Sequence, residues 1–147
     1  MQLWLLMAYQ LIGMIHYKIY FKPYDWEVEV YVILKNCYVS KIIDSLRDCP
    51  QSEIQRAFLN LTTRVDSGFT KTYNRSSVLV INKPSTVEEF INIFNHEKNH
   101  LEMHICEENQ LDPHSEEAAE LSGILAKYLF SALIDELLIY YTNVNAK

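Results

Sequence analysis

The sequence contains few of the residues that interrupt or cross-link a chain, with 3 Gly, 4 Pro and 3 Cys among 147 residues. Such low Gly and Pro contents exclude collagen-like and linker-like chains, and 49% hydrophobic residues exclude an intrinsically disordered one. A chain of this length buries about two-thirds of the surface that its unfolded form exposes. We therefore expect one globular domain over residues 1–147.

Positive charge is also scarce, because 13 Lys and Arg face 19 Asp and Glu and leave a net charge of -6. The basic residues form no cluster, so the chain lacks the electrostatic footprint that nucleic acids and anionic membranes require. We expect no nucleic-acid partner. Neutral or basic peptides and proteins suit this charge better.

The cysteines form no recognisable framework. Cys37, Cys49 and Cys106 are an odd number without a Cys-x-x-Cys pair, which is typical of neither a disulfide scaffold nor a thiolate zinc site. The sequence therefore predicts a reducing compartment, the cytoplasm.

The apolar N-terminal segment needs its own interpretation. A signal peptide has Lys or Arg ahead of its hydrophobic run, and the segment from Met1 to Ile15 has neither. The segment is also shorter than the roughly 20 residues of a membrane span. We expect a buried or interfacial helix, with residues 1–13 peripheral to the domain.

The first half of the chain alternates between β and helical patterns. Period-two segments from Ile15 to Phe21 and from Trp26 to Leu34 flank a turn-like Lys-Pro-Tyr-Asp stretch and predict a β-hairpin. Two short helices are expected between Ser40 and Val65, the second opening at Ser52 in a capping box completed by Gln55. Strands from Phe69 to Tyr73 and from Ser77 to Ile81 follow.

The second half of the chain is helical. A capping box of Ser85 and Glu88 predicts a helix from Thr86 to about Glu108, and Ser115 predicts the N-cap of another that runs to about Tyr141. The resulting fold class is α+β, with a small, mostly antiparallel sheet of about four strands and a long C-terminal helix.

The segment His96-Glu97-Lys98-Asn99-His100 carries the chemistry. Residues four apart share one helix face, so His96 and His100 can reach the same Zn²⁺, while Glu97 can contact a metal-bound water. Lys98 and Asn99 predict that a polar face is exposed there.

Catalytic zinc needs a third protein ligand and an open position. If the C-terminal helix packs antiparallel to the motif helix, its first turns return toward the histidines and offer Glu116, Glu117 and Glu120. The alternative is that these acids only complement the positive end of the helix dipole. His104 and His114 could also serve as ligands or proton donors, although a histidine in such a position is more often only hydrogen-bonded.

These motifs resemble the zincin metallopeptidases of the gluzincin kind, and most closely small phage and prophage-encoded zincin-like proteins of gut bacteria. The residues that carry the resemblance lie between Ser77 and Phe130, and are Val78-Leu79-Val80-Ile81, His96-Glu97-x-x-His100-Leu101 and Glu116-Glu117-Ala118-Ala119-x-Leu121-x-Gly123. The resemblance implies a zincin-like fold and a downstream Glu as third zinc ligand. It ranks Glu116 first, then Glu117 and Glu120, because Glu116 stands in a Glu-x-x-x-acid-x-x-Gly run.

The sequence thus predicts a zinc-dependent peptidase in which His96, His100 and Glu116 hold Zn²⁺ and Glu97 is the general base. The rival is a zincin-like interaction or structural protein without catalysis. Its Tyr-rich strands and apolar N-terminal segment would then form a partner or homo-oligomer surface.

Overall fold

The computed structural model describes residues 3–11, 13–35 and 39–145, and Cys37 lies outside them. The described strands are β1 (Leu3–Leu11), β2 (Met14–Phe21), β3 (Trp26–Ile33), β4 (Ser67–Tyr73) and β5 (Ser76–Asn82). The described helices are α1 (Val39–Ser45), α2 (Gln51–Thr63), α3 (Val87–Glu108), α4 (Glu116–Ser131) and α5 (Ile134–Asn145).

The strands form one mixed sheet in the order β1-β2-β3-β5-β4. Only β3 and β5 are parallel neighbours; the other three described pairings are antiparallel. The predicted hairpin of β2 and β3 is confirmed, and Asp25 closes its turn in the left-handed region at φ 47°. The α+β class and the mostly antiparallel sheet are confirmed, but the described sheet has five strands instead of about four.

The additional strand corrects the expectation of an N-terminal helix. Leu3–Leu11 forms β1 and pairs antiparallel with β2 at one edge of the sheet. Gly13 makes this possible, because it reverses the chain at φ +81° and a side chain there would meet Lys35. The tight turn places Leu11 opposite Met14. The apolar segment has no period-two pattern of its own, and it becomes a strand by pairing with the edge of β2.

Helices cover both faces of the sheet. Alternate residues of β2, β3 and β5 contribute to two hydrophobic clusters. One cluster joins the sheet to α3, α4 and α5 through residues such as Phe90, Leu101 and Leu125. The other joins the opposite face to α1 and α2 through Ile42 and Leu61. The sheet is thus a central layer between two helical layers.

The predicted long C-terminal helix is broken into α4 and α5 at Ala132 and Leu133. Five leucines four residues apart, from Leu121 to Leu137, are at most 1% exposed. In one straight helix this spacing would rotate the last leucine about 160° away from the first. The break turns α5 so that Leu137 also faces the core. Ser115 caps α4 as predicted, accepting a hydrogen bond from the Ala118 amide at 3.2 Å.

Two of the predicted caps are displaced. α2 begins after Pro50 without a side-chain cap instead of at Ser52. α3 is capped by Thr86, whose hydroxyl accepts from the Glu89 amide at 3.1 Å, because Ser85 is engaged elsewhere. Its amide and hydroxyl donate to the Asp66 carboxylate at 2.6 and 2.9 Å.

A buried polar network attaches α1 to the sheet. Oε1 of Glu29 accepts hydrogen bonds from His16 Nε2 at 2.7 Å and from the Tyr31 hydroxyl at 2.5 Å, and Ser45 of α1 lies 2.6 Å from that hydroxyl. Burial raises the pKa of Glu29, but the hydrogen bonds from His16 and Tyr31 and the charge of Lys18 outweigh it, so the net shift lowers this pKa. The ionised carboxylate therefore stabilises the fold.

We expect Glu29→Gln to lower the free energy of unfolding at pH 7 by about 1–2 kcal/mol, since hydrogen bonds to a charged oxygen become weaker bonds to a neutral one. A lowered carboxyl pKa contributes stability that is present above the unfolded value and lost as the pH falls through the folded value. The difference between wild type and variant should therefore shrink below about pH 4.3. Urea unfolding from pH 3 to 7 measures it.

The control for this prediction is Glu27→Gln. Among the residues that the structure describes, Glu27 pairs with Lys18 at 3.5 Å on a partly exposed surface, so its loss should change stability by less than about 0.5 kcal/mol. Equal effects of the two substitutions would contradict the role of the Glu29 network.

Candidate metal site

The helix that carries the histidines lies unusually close to strand β4. A side chain at Gly68 of β4 would stand 2.5 Å from the Val80 carbonyl oxygen, 2.9 Å from Ile93 and 3.1 Å from Cγ of Glu97. Only glycine leaves room for α3 at this point. Sequence reasoning overlooked Gly68, although an isolated glycine inside a β-pattern is a signal of close backbone approach.

His96 and His100 are brought together on the exposed side of α3. Their Nε2 atoms are 3.2 Å apart, and their rings meet edge to face at 76°. Two nitrogens bound to one tetrahedral Zn²⁺ at 2.0–2.1 Å would be about 3.3 Å apart. The observed separation matches that of two ligands of a shared metal ion, and it is equally that of a hydrogen bond between the two rings.

Glu97 lies beside the pair but is buried, with 3% of its surface exposed. The Thr70 hydroxyl of β4 lies within hydrogen-bonding distance of its carboxylate, at 3.2 Å, and of its main-chain oxygen, at 3.1 Å. Burial raises the pKa of Glu97, while His100, His96 and Thr70 oppose the shift. One ligand atom from each of His96, Glu97 and His100 lies within 4.8 Å of the others, so these residues can hold a metal ion.

Glu116 is not brought to this group. In the described part of the chain, no carboxylate of Glu116, Glu117 or Glu120 joins the two histidines. The reason is the side on which α4 packs. Lys98 is 7% exposed and donates a hydrogen bond to Ser122 of α4 at 3.0 Å. At 100° per residue, Lys98 lies on the opposite side of α3 from both His96 and His100.

α4 therefore packs on the face of α3 opposite His96 and His100, and the structure does not bring Glu116, the predicted third ligand, to them. The same contact corrects one expectation, because Lys98 is buried where the sequence predicted an exposed polar face. Of the three acids, Glu117 accepts a hydrogen bond from the Tyr24 hydroxyl at 3.2 Å.

The other two candidate histidines are outside the group. His104 is held at Nδ1 by Thr72 at 2.6 Å, and Thr72 contacts Ser77 at 2.7 Å. Burial lowers the pKa of His104, although Glu107 opposes this shift. His114 is exposed in the turn before α4. Among the described residues, neither has a ligand atom close to both His96 and His100.

No protein-family model, curated protein or solved structure matches this chain. The resemblance to zincins therefore depends on the motif residues alone. Among the described residues, no helix combines the length and the apolar composition that a membrane span needs.

We expect Gly68→Ala to lower the free energy of unfolding by about 1–3 kcal/mol, because the added methyl group overpacks a backbone contact. Thermal unfolding measures this loss of stability.

Gly123→Ala is the matched control. A side chain at Gly123 of α4 would have no neighbour within 4 Å, so this substitution should stabilise the helix by up to about 1 kcal/mol. If both variants behaved alike, the close approach at Gly68 would not matter.

Proposed function

We propose that the protein is a zincin-like, zinc-dependent metallopeptidase, with His96 and His100 as zinc ligands and Glu97 as general base. The observation that carries the proposal is the 3.2 Å separation of the two exposed Nε2 atoms. Imidazole nitrogen is a preferred zinc donor, and this separation needs no rearrangement of the helix to accept the ion.

The position of Glu97 supports its role as the base. Its carboxylate lies within 4.8 Å of both histidine nitrogens, a span that leaves room for a water molecule between carboxylate and metal. The hydroxyl of Thr70 fixes the carboxylate in this direction. Zinc held by the histidines would polarise the scissile carbonyl and acidify a water. Glu97 would then take the water's proton and deliver it to the leaving amine nitrogen.

The neighbouring strand suits a peptide substrate. β4 is an edge strand of the described sheet, and its Thr70 contacts Glu97 directly. An extended peptide can add to such an edge through main-chain hydrogen bonds. The net charge of -6 favours neutral or basic peptides.

The proposed location is the reducing cytoplasm. Cys49 and Cys106 are free thiols, which agrees with a compartment in which disulfides do not form.

A rival function is favoured by one specific observation. The described residues supply no carboxylate from α4 to complete a three-ligand catalytic site. A zincin-like interaction or structural protein, of the phage-related kind, could bind zinc through the same histidines without hydrolysing anything.

Zinc content and activity of variants test the proposal. Dilute protein with excess zinc, purified without a metal-affinity tag, should bind about one zinc per chain. His96→Ala and His100→Ala should each lower zinc affinity more than about 100-fold, because even loss of a second-shell partner costs 10–100-fold. His114→Ala is the matched histidine control and should bind zinc normally.

Glu97→Gln separates base from ligand and enzyme from interaction protein. An amide cannot accept the proton, so peptide hydrolysis should fall by about 10²–10⁴-fold while zinc stays bound. Zinc loss in this variant would identify Glu97 as the third ligand. Absence of hydrolysis by zinc-loaded wild type across a mixed peptide library would favour the rival function.

A further inference from the structure

The fully exposed residues in the middle of α3 are uncharged over more than three turns. Between Ile91 and Met103 they are Ile91, Asn92, Asn95, His96, Asn99, His100 and Met103. Of the three charged residues in this segment, Glu97 and Lys98 are buried and Glu102 is partly buried, while Glu88, Glu107 and Glu108 are exposed nearer the helix ends. In a chain of net charge -6, a stretch of helix that exposes neutral side chains between acidic ends indicates a surface that meets a partner.

The histidine pair lies in the centre of this neutral face. Asn92, Asn99 and Met103 lie within about 60° of His96 around the helix. Met103 is 52% exposed, which gives the face an apolar contact point. The face points away from α4, whose Ser122 contacts the opposite side of α3.

The metal site on this face is incomplete. A tetrahedral zinc takes four ligands, and the histidine pair supplies two. Among the described residues, the acids of α4 do not reach the pair. Glu97 contributes at most one oxygen from below the surface. The remaining positions therefore open outward, toward whatever approaches the neutral face.

We propose that a second copy of this chain occupies them, so that two copies share one zinc through His96 and His100 of each. A two-fold axis through the ion makes the contact self-complementary, because each copy presents the same pair. The four imidazoles complete a tetrahedral site of the closed, structural type.

This inference rests on the ligand assignment of the proposed function and adds regulation to it. The closed four-histidine site has no position left for water, so the paired form does not hydrolyse peptides. The neutral face keeps like charges out of the contact. A zinc ion with four neutral ligands also keeps its positive charge, which attracts two acidic copies. The protein is therefore paired and inactive when there is less than one zinc ion per chain and the protein concentration is high.

Sedimentation velocity of the metal-stripped full chain, titrated with zinc alone, tests the pairing. At half an equivalent of zinc the mass should double from 17.3 kDa, and a chelator should reverse the change. His96→Ala and His100→Ala should each remain monomeric. His114→Ala should pair as wild type does, since that histidine lies in the turn before α4.

A charge on the neutral face provides a second test that leaves every ligand in place. Asn99→Glu should raise the dissociation constant of the zinc-bridged pair by about tenfold or more, because like charges then face each other across the axis. Its one-to-one zinc affinity at low protein concentration should stay near that of wild type, which also shows that the variant folds.

Glu97→Gln distinguishes failure of the inference from failure of the proposed function. The variant should pair with zinc as wild type does, because the amide removes no histidine. Zinc-dependent pairing without any peptide hydrolysis would refute the peptidase and support the inference. Hydrolysis by one-to-one monomers at every protein concentration would overturn the inference alone. Pairing that needs no zinc, or that survives loss of both histidines, would overturn it too, and absence of zinc binding would overturn both proposals.

Discussion

The close approach of α3 to β4 is the constraint on which the site depends. At Gly68 the strand carries no side chain, and the side chains of Ile93 and Glu97 of α3 pack directly over this position. The carboxylate is then covered and held by Thr70, while His96 and His100 on the neighbouring face of the helix turn outward. Burial of one acid and exposure of two histidines are therefore consequences of the same packing contact.

Features set by local geometry could be predicted from the sequence. The hairpin of β2 and β3 follows from period-two alternation around a turn, and α3 follows from its apolar stripe. The pairing of His96 with His100 needs only the four-residue repeat of a helix. These predictions concern residues that are neighbours along the chain, where backbone periodicity determines which side chains meet.

The features that escaped prediction depend on distant parts of the chain. Glu116 was expected near the histidines because a short turn joins two helices, but a turn does not determine which side of α3 its successor covers. That choice is made by packing, since Leu121 and Leu125 of α4 enter the same buried cluster as the apolar residues of α3. Likewise, β1 became a strand because β2 offered it a free edge, an influence absent from its own sequence.

The two buried charges of α3 also fix the rotation of the helix about its own axis. Glu97 is held by a hydroxyl of β4, and Lys98 by a hydroxyl of α4, in directions about 100° apart. Turning α3 either way would separate one of these buried groups from its hydroxyl partner, at a cost of about 1–3 kcal/mol. These two hydrogen bonds therefore hold α3 against rotation about its axis. They also determine the direction in which His96 and His100 point, although neither bond involves a histidine.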